Sequence, residues 1–205
     1  MAREYRKGKF SAEQEKEEDT LSELILVSLH DLVHLLAGIL LVLLLLFRMV
    51  VVSGPSMNAT LVDGDFLLLL SNIVYTDPQQ GDIVVASKDS FKNGEPIIKR
   101  VIATEGQIVD IDFEAGIVYV DGVALQEDYT LTPTNREEGN SFPMEVSEGC
   151  IFVMGDNRNV SKDSRNPEIG LIDEREVLGK AIFLLVPGTN GGSMRPQYNR
   201  IGALT

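Results

Sequence analysis

Between Leu35 and Phe47 no side chain is polar, and no other feature limits the fold of this chain so tightly. The apolar span widens to Leu24–Phe47, about 24 residues, which at ~1.5 Å per residue crosses a ~30 Å hydrocarbon layer with some tilt to spare. A cleavable leader would have a shorter apolar region, a basic start close to it and a small-residue exit. Here the exit is Phe47-Arg48-Met49-Val50, so the segment is expected to be retained as an anchor. Residues 1–23 are polar, with Arg3, Arg6, Lys7 and Lys9 ahead of a largely acidic run from Glu13 to Glu23. Such a stretch cannot bury a core, which predicts a disordered or frayed helical tail. The basic residues near the start favour a cytoplasmic N-terminus, placing residues 49–205 outside the cytoplasm.

The anchor contains His30-Asp31-Leu32-Val33-His34, two histidines one helical turn apart. A zinc peptidase helix has this spacing, but with glutamate after the first histidine; here Asp31 stands there, and the chain has no third histidine. Polar side chains near the headgroup end of an anchor, or against a partner helix, account for the group, and no metal is expected. A net charge of −13 argues against a nucleic-acid partner, which would need a basic stripe. The single cysteine, Cys150, excludes an intrachain disulfide; with Ile151 and Phe152 after it, a small buried hydrophobe is expected.

After the anchor the pattern becomes β. Phe66–Leu70, Ile83–Ser87, Ile97–Thr104, Gln107–Asp112, Ile117–Val120, Val123–Leu125, Cys150–Met154 and Ala181–Val186 are short apolar or alternating runs. Turn pairs such as Asp77-Pro78, Gly81-Asp82, Asn93-Gly94 and Asp121-Gly122 separate them. Residues 126–143 turn polar, as a long connection or flap, and 172–178 have room for one short helix. The expected fold is mostly β: a polar tail over 1–23, a single transmembrane helix over 24–47, a β-rich domain over 48–187 and a loose tail over 188–205.

Three stretches of that domain carry chemistry. In Ser53-Gly54-Pro55-Ser56-Met57-Asn58-Ala59-Thr60-Leu61, Gly54 and Pro55 break regular structure and present Ser56 on a bent backbone. That suits a nucleophile whose own N–H faces the oxyanion it makes. Both histidines precede the domain, so the base must be another group, and a lysine serves only when desolvation lowers its pKa from about 10.4. Lys99 lies inside the apolar strand Ile97–Ala103, where alternation puts it on one face with Ile97, Val101 and Ala103, and Arg100 on the other. A lysine there is either an edge residue snorkelling to water or a buried functional amine. The third stretch, Gly155-Asp156-Asn157-Arg158-Asn159-Val160-Ser161-Lys162-Asp163-Ser164-Arg165, follows a buried strand. It departs from a calcium loop at three positions: Arg158, Ser161 where glycine is needed, and Pro167 where glutamate closes the loop.

Together the three stretches resemble the boxes of bacterial type I signal peptidases. Ser56 to Leu61 is similar to the nucleophile box, Lys99-Arg100-Val101 to the general-base box, and Gly155 to Arg165 to the Gly-Asp-Asn-Arg box. The order matches, and the single anchor and compact step from Ser56 to Lys99 resemble the Gram-positive branch. The resemblance implies a signal-peptidase-like catalytic domain with a Ser56–Lys99 dyad. It further implies that Ser161 aims the lysine, and that Asp163 and Arg165, with Arg158 nearby, are ion pairs holding the third box. It implies no metal or cofactor, a lipid bilayer around the anchor, and preproteins bearing signal peptides as partners, cut after small residues. The substrate strand would be flanked by Gly54, Pro55, Ile97 and Ile98, with Met57 and Leu61 as pocket walls. Two departures stand out: Ala59 replaces the usual proline, which predicts a looser turn, and Gly54 lacks the hydroxyl that some members place there. A membrane-tethered β domain that binds or assembles surface proteins without catalysis is the alternative. A self-cleaving Ser-Lys repressor domain shares the chemistry but would have no anchor.

Overall fold

A computed structural model of the chain describes residues 2–189 and 197–204. It divides into an N-terminal helical unit and a β unit that begins at Leu46. Helix α1 runs Ala2–Leu46, so the polar stretch is drawn as a continuation of the apolar helix. Its segment Glu23–Leu46 spans 24 residues with a mean hydropathy of 2.4. Leu24, Leu36 and Leu44 are each more than half exposed, as suits side chains whose solvent is lipid rather than water. His34 Nδ1 lies 2.8 Å from the His30 carbonyl, and the two rings sit 4.1 Å apart. Phe47, expected to close the anchor, instead opens a strand, Phe47–Val51, whose residues other than Arg48 are apolar.

The β unit contains two sheets. The larger joins β1 (Phe47–Val51), β2 (Phe66–Ser71), β3 (Ile83–Ala86), β4 (Ile97–Thr104), β9 (Cys150–Met154), β10 (Ile172–Asp173), β11 (Val177–Val186) and β12 (Gly202–Ala203). Its order is β1-β2-β11-β3-β4-β9-β10, with β12 laid along β11. The smaller sheet orders β7 (Val123–Ala124), β6 (Ile117–Val120), β5 (Ile108–Asp112) and β8 (Met144–Glu145). Register shifts along β11 and between Val101 and Ala103 of β4 mark bulges, which coil a long sheet. The β4 bulge also ends the expected face-sharing: Ile97 and Val101 pack with Val84, Val153 and Ile172, whereas Ala103 joins Ile102, Val109 and Phe152 in the core between the sheets.

Residues 172–178 form no α-helix. Ile172 pairs with Ile151 and Val177 with Ala86, leaving only a 3-10 turn, Glu174–Glu176, capped by Asp173. Cys150 is half-buried rather than buried, at the rim of the core between the sheets. The expected loose tail is only partly so: 190–196 and 205 lie outside the described residues, while 197–204 contain a 3-10 turn and β12, which pairs with Phe183 and Leu184.

Candidate active site

The chain leaves β1 and returns to β2 through a turn tied at its base. The Val52 N–H donates to the Asp65 carbonyl at 2.9 Å, and the Gly54 N–H to Asp63 Oδ1 at 2.8 Å. Within the turn, the Asn58 N–H donates to the Pro55 carbonyl and the Leu61 N–H to that of Met57. Met57 and Leu61, four apart on the same side of this helical turn, drop into the core with Val52, Leu67 and Ile98. Ser56, just before Met57, stays half-exposed. Leu61 is thus a correction: it is fully buried and anchors the turn instead of walling the cleft. Nor is the turn loose at Ala59, because Thr60 Oγ1 donates to Asp156 Oδ2 at 2.5 Å.

Lys99 reaches the same point from β4. It is almost fully buried, with Nζ donating to Ser56 Oγ at 2.9 Å and to the Ile98 carbonyl at 3.0 Å. Of the two readings of a lysine in an apolar strand, snorkelling to water is therefore excluded. Arg100 points the opposite way and is buried too, with Nε and Nη2 on the two oxygens of Asp156 at 2.9 and 2.8 Å. Asp156 also receives the Thr60 hydroxyl, so one buried carboxylate ties the strand of Lys99 to the turn of Ser56.

The third stretch closes the site from behind. A Cβ on Gly155 would fall 2.3 Å from Ser161 Oγ and 2.5 Å from the Ser56 carbonyl oxygen, a contact only glycine permits. The Asn157 N–H donates to the Ser56 carbonyl at 3.0 Å, and Asn157 Nδ2 to that of Pro55 at 3.1 Å. Ser161 is fully buried, yet its Oγ has no hydrogen-bond partner. The expected bond from Ser161 to the lysine amine is not made, because Lys99 Nζ is turned to Ser56 and Ile98.

Asp163 and Arg165 form a pair with neither side chain exposed, through Nε–Oδ1 at 2.8 Å and Nη2–Oδ2 at 2.9 Å. Burial works against the Asp163 charge, but Arg165, the Gly155 N–H and the nearby Lys99 more than offset it, and the carboxyl is held below the usual range. Arg158 does not join that pair. It is clamped by Glu127, by Thr134 Oγ1 at 2.9 Å and by the Gly155 carbonyl at 3.1 Å. Residues 126–143 are therefore a brace: besides Glu127 and Thr134, the Tyr129 ring stacks 4.0 Å beneath the Arg100 guanidinium. Sequence reading placed Arg100 and Asp156 inside the matched boxes without giving them a role, and missed Glu127 and Tyr129 as members of the site.

A cleft of about 490 Å³ opens in front of Ser56, lined on one side by Val50 to Met57 and on the other by Glu95 to Lys99, with Phe91 and Lys162 at its rim. β1 is the terminal strand of its sheet, and β9 pairs with β4 only from Arg100 onward. The cleft therefore lies between two strand edges. Gly54, Pro55, Met57, Ile97 and Ile98 all line it. Among the described residues, no three His, Cys, Asp or Glu gather in a way that would hold a metal ion.

The fold of coiled β-sheets sets a serine and a lysine side by side at an edge-lined cleft. Residues 25–186 match the model of the family described as signal peptidase, peptidase S26, and the chain belongs to that family. It is 37% identical over 166 residues to a probable signal peptidase I-1 of Synechocystis, covering 75% of this chain and 81% of that protein. It is likewise 37% identical over 158 residues to a signal peptidase I of Bacillus licheniformis, covering 72% and 81%. A solved signal peptidase I from Enterococcus faecalis is 31% identical, with a TM-score of 0.42 over 51% of this chain and 96% of that one.

Proposed function

We propose that the chain is a membrane-anchored serine endopeptidase that removes N-terminal signal peptides from exported preproteins, cutting after small residues of Ala-X-Ala type. The observation that carries the reading is the 2.9 Å approach of a buried lysine amine to a half-exposed serine hydroxyl at the floor of a cleft. Neutral Lys99 takes the Ser56 proton as Oγ attacks the scissile carbonyl, and the oxyanion faces the Ser56 N–H. Lys99 then gives that proton to the leaving amine as the C–N bond breaks, leaving an ester on Ser56. A water, deprotonated by the same amine, hydrolyses the ester. Ser161, buried beside Gly155 with its hydroxyl unpaired, supplies a partner for the amine as it gains and loses charge.

The substrate is bound as an added strand between the edges at residues 50–55 and 95–98, so that backbone groups give the affinity and side chains at alternate positions the selection. The family relationship and the span Glu23–Leu46 support placement in the cell membrane beside an exported protein's own apolar segment. Arg3, Arg6, Lys7 and Lys9 support a cytoplasmic N-terminus with the β domain outside.

The decisive assay is cleavage of an Ala-X-Ala preprotein in detergent by wild type, Ser56→Ala and Lys99→Ala. Wild type should cleave, and both variants should lose on the order of 10⁴-fold or more. Near-normal cleavage by Lys99→Ala would remove it as base, and equal inertness of all three would favour the non-catalytic alternative. Chelators should leave the wild type unchanged.

A further inference from the structure

The turn that carries Ser56 is fastened at its far end by chain lying beyond the family match, which stops at residue 186. A Cβ on Gly188 would fall 2.2 Å from the Asp63 carbonyl oxygen and 2.7 Å from the Asp65 nitrogen, so backbone packs directly on backbone there. The Gly188 N–H donates to Asp65 Oδ1 at 2.7 Å. Arg200, in the 3-10 turn Tyr198–Arg200, closes on the same carboxylate through Nη1–Oδ1 at 3.0 Å and Nη2–Oδ2 at 2.6 Å. The Asp65 side chain is fully buried and also accepts from the Val62 N–H at 2.8 Å. Arg200 Nη2 reaches one group further, donating to the Thr60 carbonyl at 3.1 Å. Thr60 is thus gripped twice, its carbonyl by Arg200 and its hydroxyl by Asp156.

We infer that Arg200 is a positioning residue for the nucleophile: it locks the turn from Thr60 to Asp65 so that Ser56 Oγ stays against Lys99 Nζ. The inference rests on the dyad reading above. Arg200 touches neither member of the dyad; it acts through the turn from Thr60 to Asp65, sharing the grip on Thr60 with Asp156 and also holding Asp65. Its guanidinium fork spans both Thr60 and Asp65, which an ammonium, a point charge, reproduces only in part.

The test uses the full chain in detergent micelles as wild type, Arg200→Ala, Arg200→Lys and, as a control on an exposed ion pair, Arg175→Ala. Each is assayed on an Ala-X-Ala preprotein and by hydrogen–deuterium exchange over residues 54–65. Arg200→Ala should lose on the order of 10- to 100-fold in kcat with KM held within about twofold, while still folded at the assay temperature. Exchange should quicken in 54–65 and not in β4 or β9; Arg200→Lys should recover part of the loss, and Arg175→Ala should match wild type. Wild-type kcat in a folded Arg200→Ala, or unchanged exchange in 54–65, overturns the inference. Should Arg200→Ala fail to fold, Arg200→Lys decides by the same two readings. A wild type inert on preproteins, with exchange still quickened in Arg200→Ala, would sink the peptidase reading and keep the latch.

Discussion

Two Asp-X-Arg pairs of the same local design lie in opposite surroundings. In both, Asp163–Arg165 and Asp173–Arg175, the arginine Nε sits 2.8 Å from Oδ1 and Nη2 closes on Oδ2. The first pair has no exposed side chain; in the second, the aspartate side chain is 31% exposed and the arginine 90%. Asp163 also holds the Gly155 N–H, and Arg165 the carbonyls of Arg158 and Arg136, so that pair is built into the wall behind Ser56. Asp173 instead caps a 3-10 turn at the surface. The same geometry therefore serves the site in one place and a local turn in the other, and burial rather than bond length separates them.

Breaking the buried pair should give the largest effect. Asp163→Ala strands the Arg165 charge in the interior and should cost about 3–5 kcal/mol, lowering the melting temperature by roughly 6–20 °C in detergent, with loss of cleavage. The double variant Asp163→Leu with Arg165→Met sharpens the contrast. Without a stranded charge it should regain most of that stability by thermal melting, while cleavage stays low because the Gly155 N–H and Arg158 carbonyl have lost their holders.

The next effect is on pH. The Asp163 carboxyl is held below its unfolded value, so the unfolded state binds the extra proton and stability rises with pH across the gap. Its contribution is complete above about pH 4 and is lost as pH falls through the folded value. Acid titration of melting should therefore be steeper below about pH 4 in wild type than in the double variant. The smallest effect belongs to the surface: Arg175→Ala should leave melting and cleavage unchanged. Raising salt from about 0.1 to 1 M should likewise touch only the exposed pair. A large loss in Arg175→Ala would break the comparison outright.

What the sequence made legible was local. Ser56, Lys99 and the Gly155–Arg165 stretch announce themselves through residues next to one another, as do strands with four or more apolar or alternating residues. What stayed hidden was long-range or too short to have a period. Arg158 finds Glu127 across 31 residues, Arg100 finds Asp156 across 56 and Arg200 finds Asp65 across 135, and no spacing rule spans such gaps. β8, β10 and β12 are two residues each, below any detectable alternation. β1 was masked for a different reason, since apart from Arg48 the segment Phe47 to Val51 is apolar like the helix before it. Ser161 shows the limit from the other side: the motif implied a bond to the lysine, and the structure leaves its hydroxyl unpaired.

The braces of the Ser56 turn also set a timetable. Asn157 grips the Pro55 carbonyl from 102 residues downstream, and Arg200 grips Asp65 from 135. At ribosomal speeds of about 5–20 residues per second, the turn is made on the order of ten seconds before its last fastening exists. A copy reaching only as far as β4 would thus hold Ser56 and Lys99 without Asn157 and Arg200, the distant groups that fasten the turn.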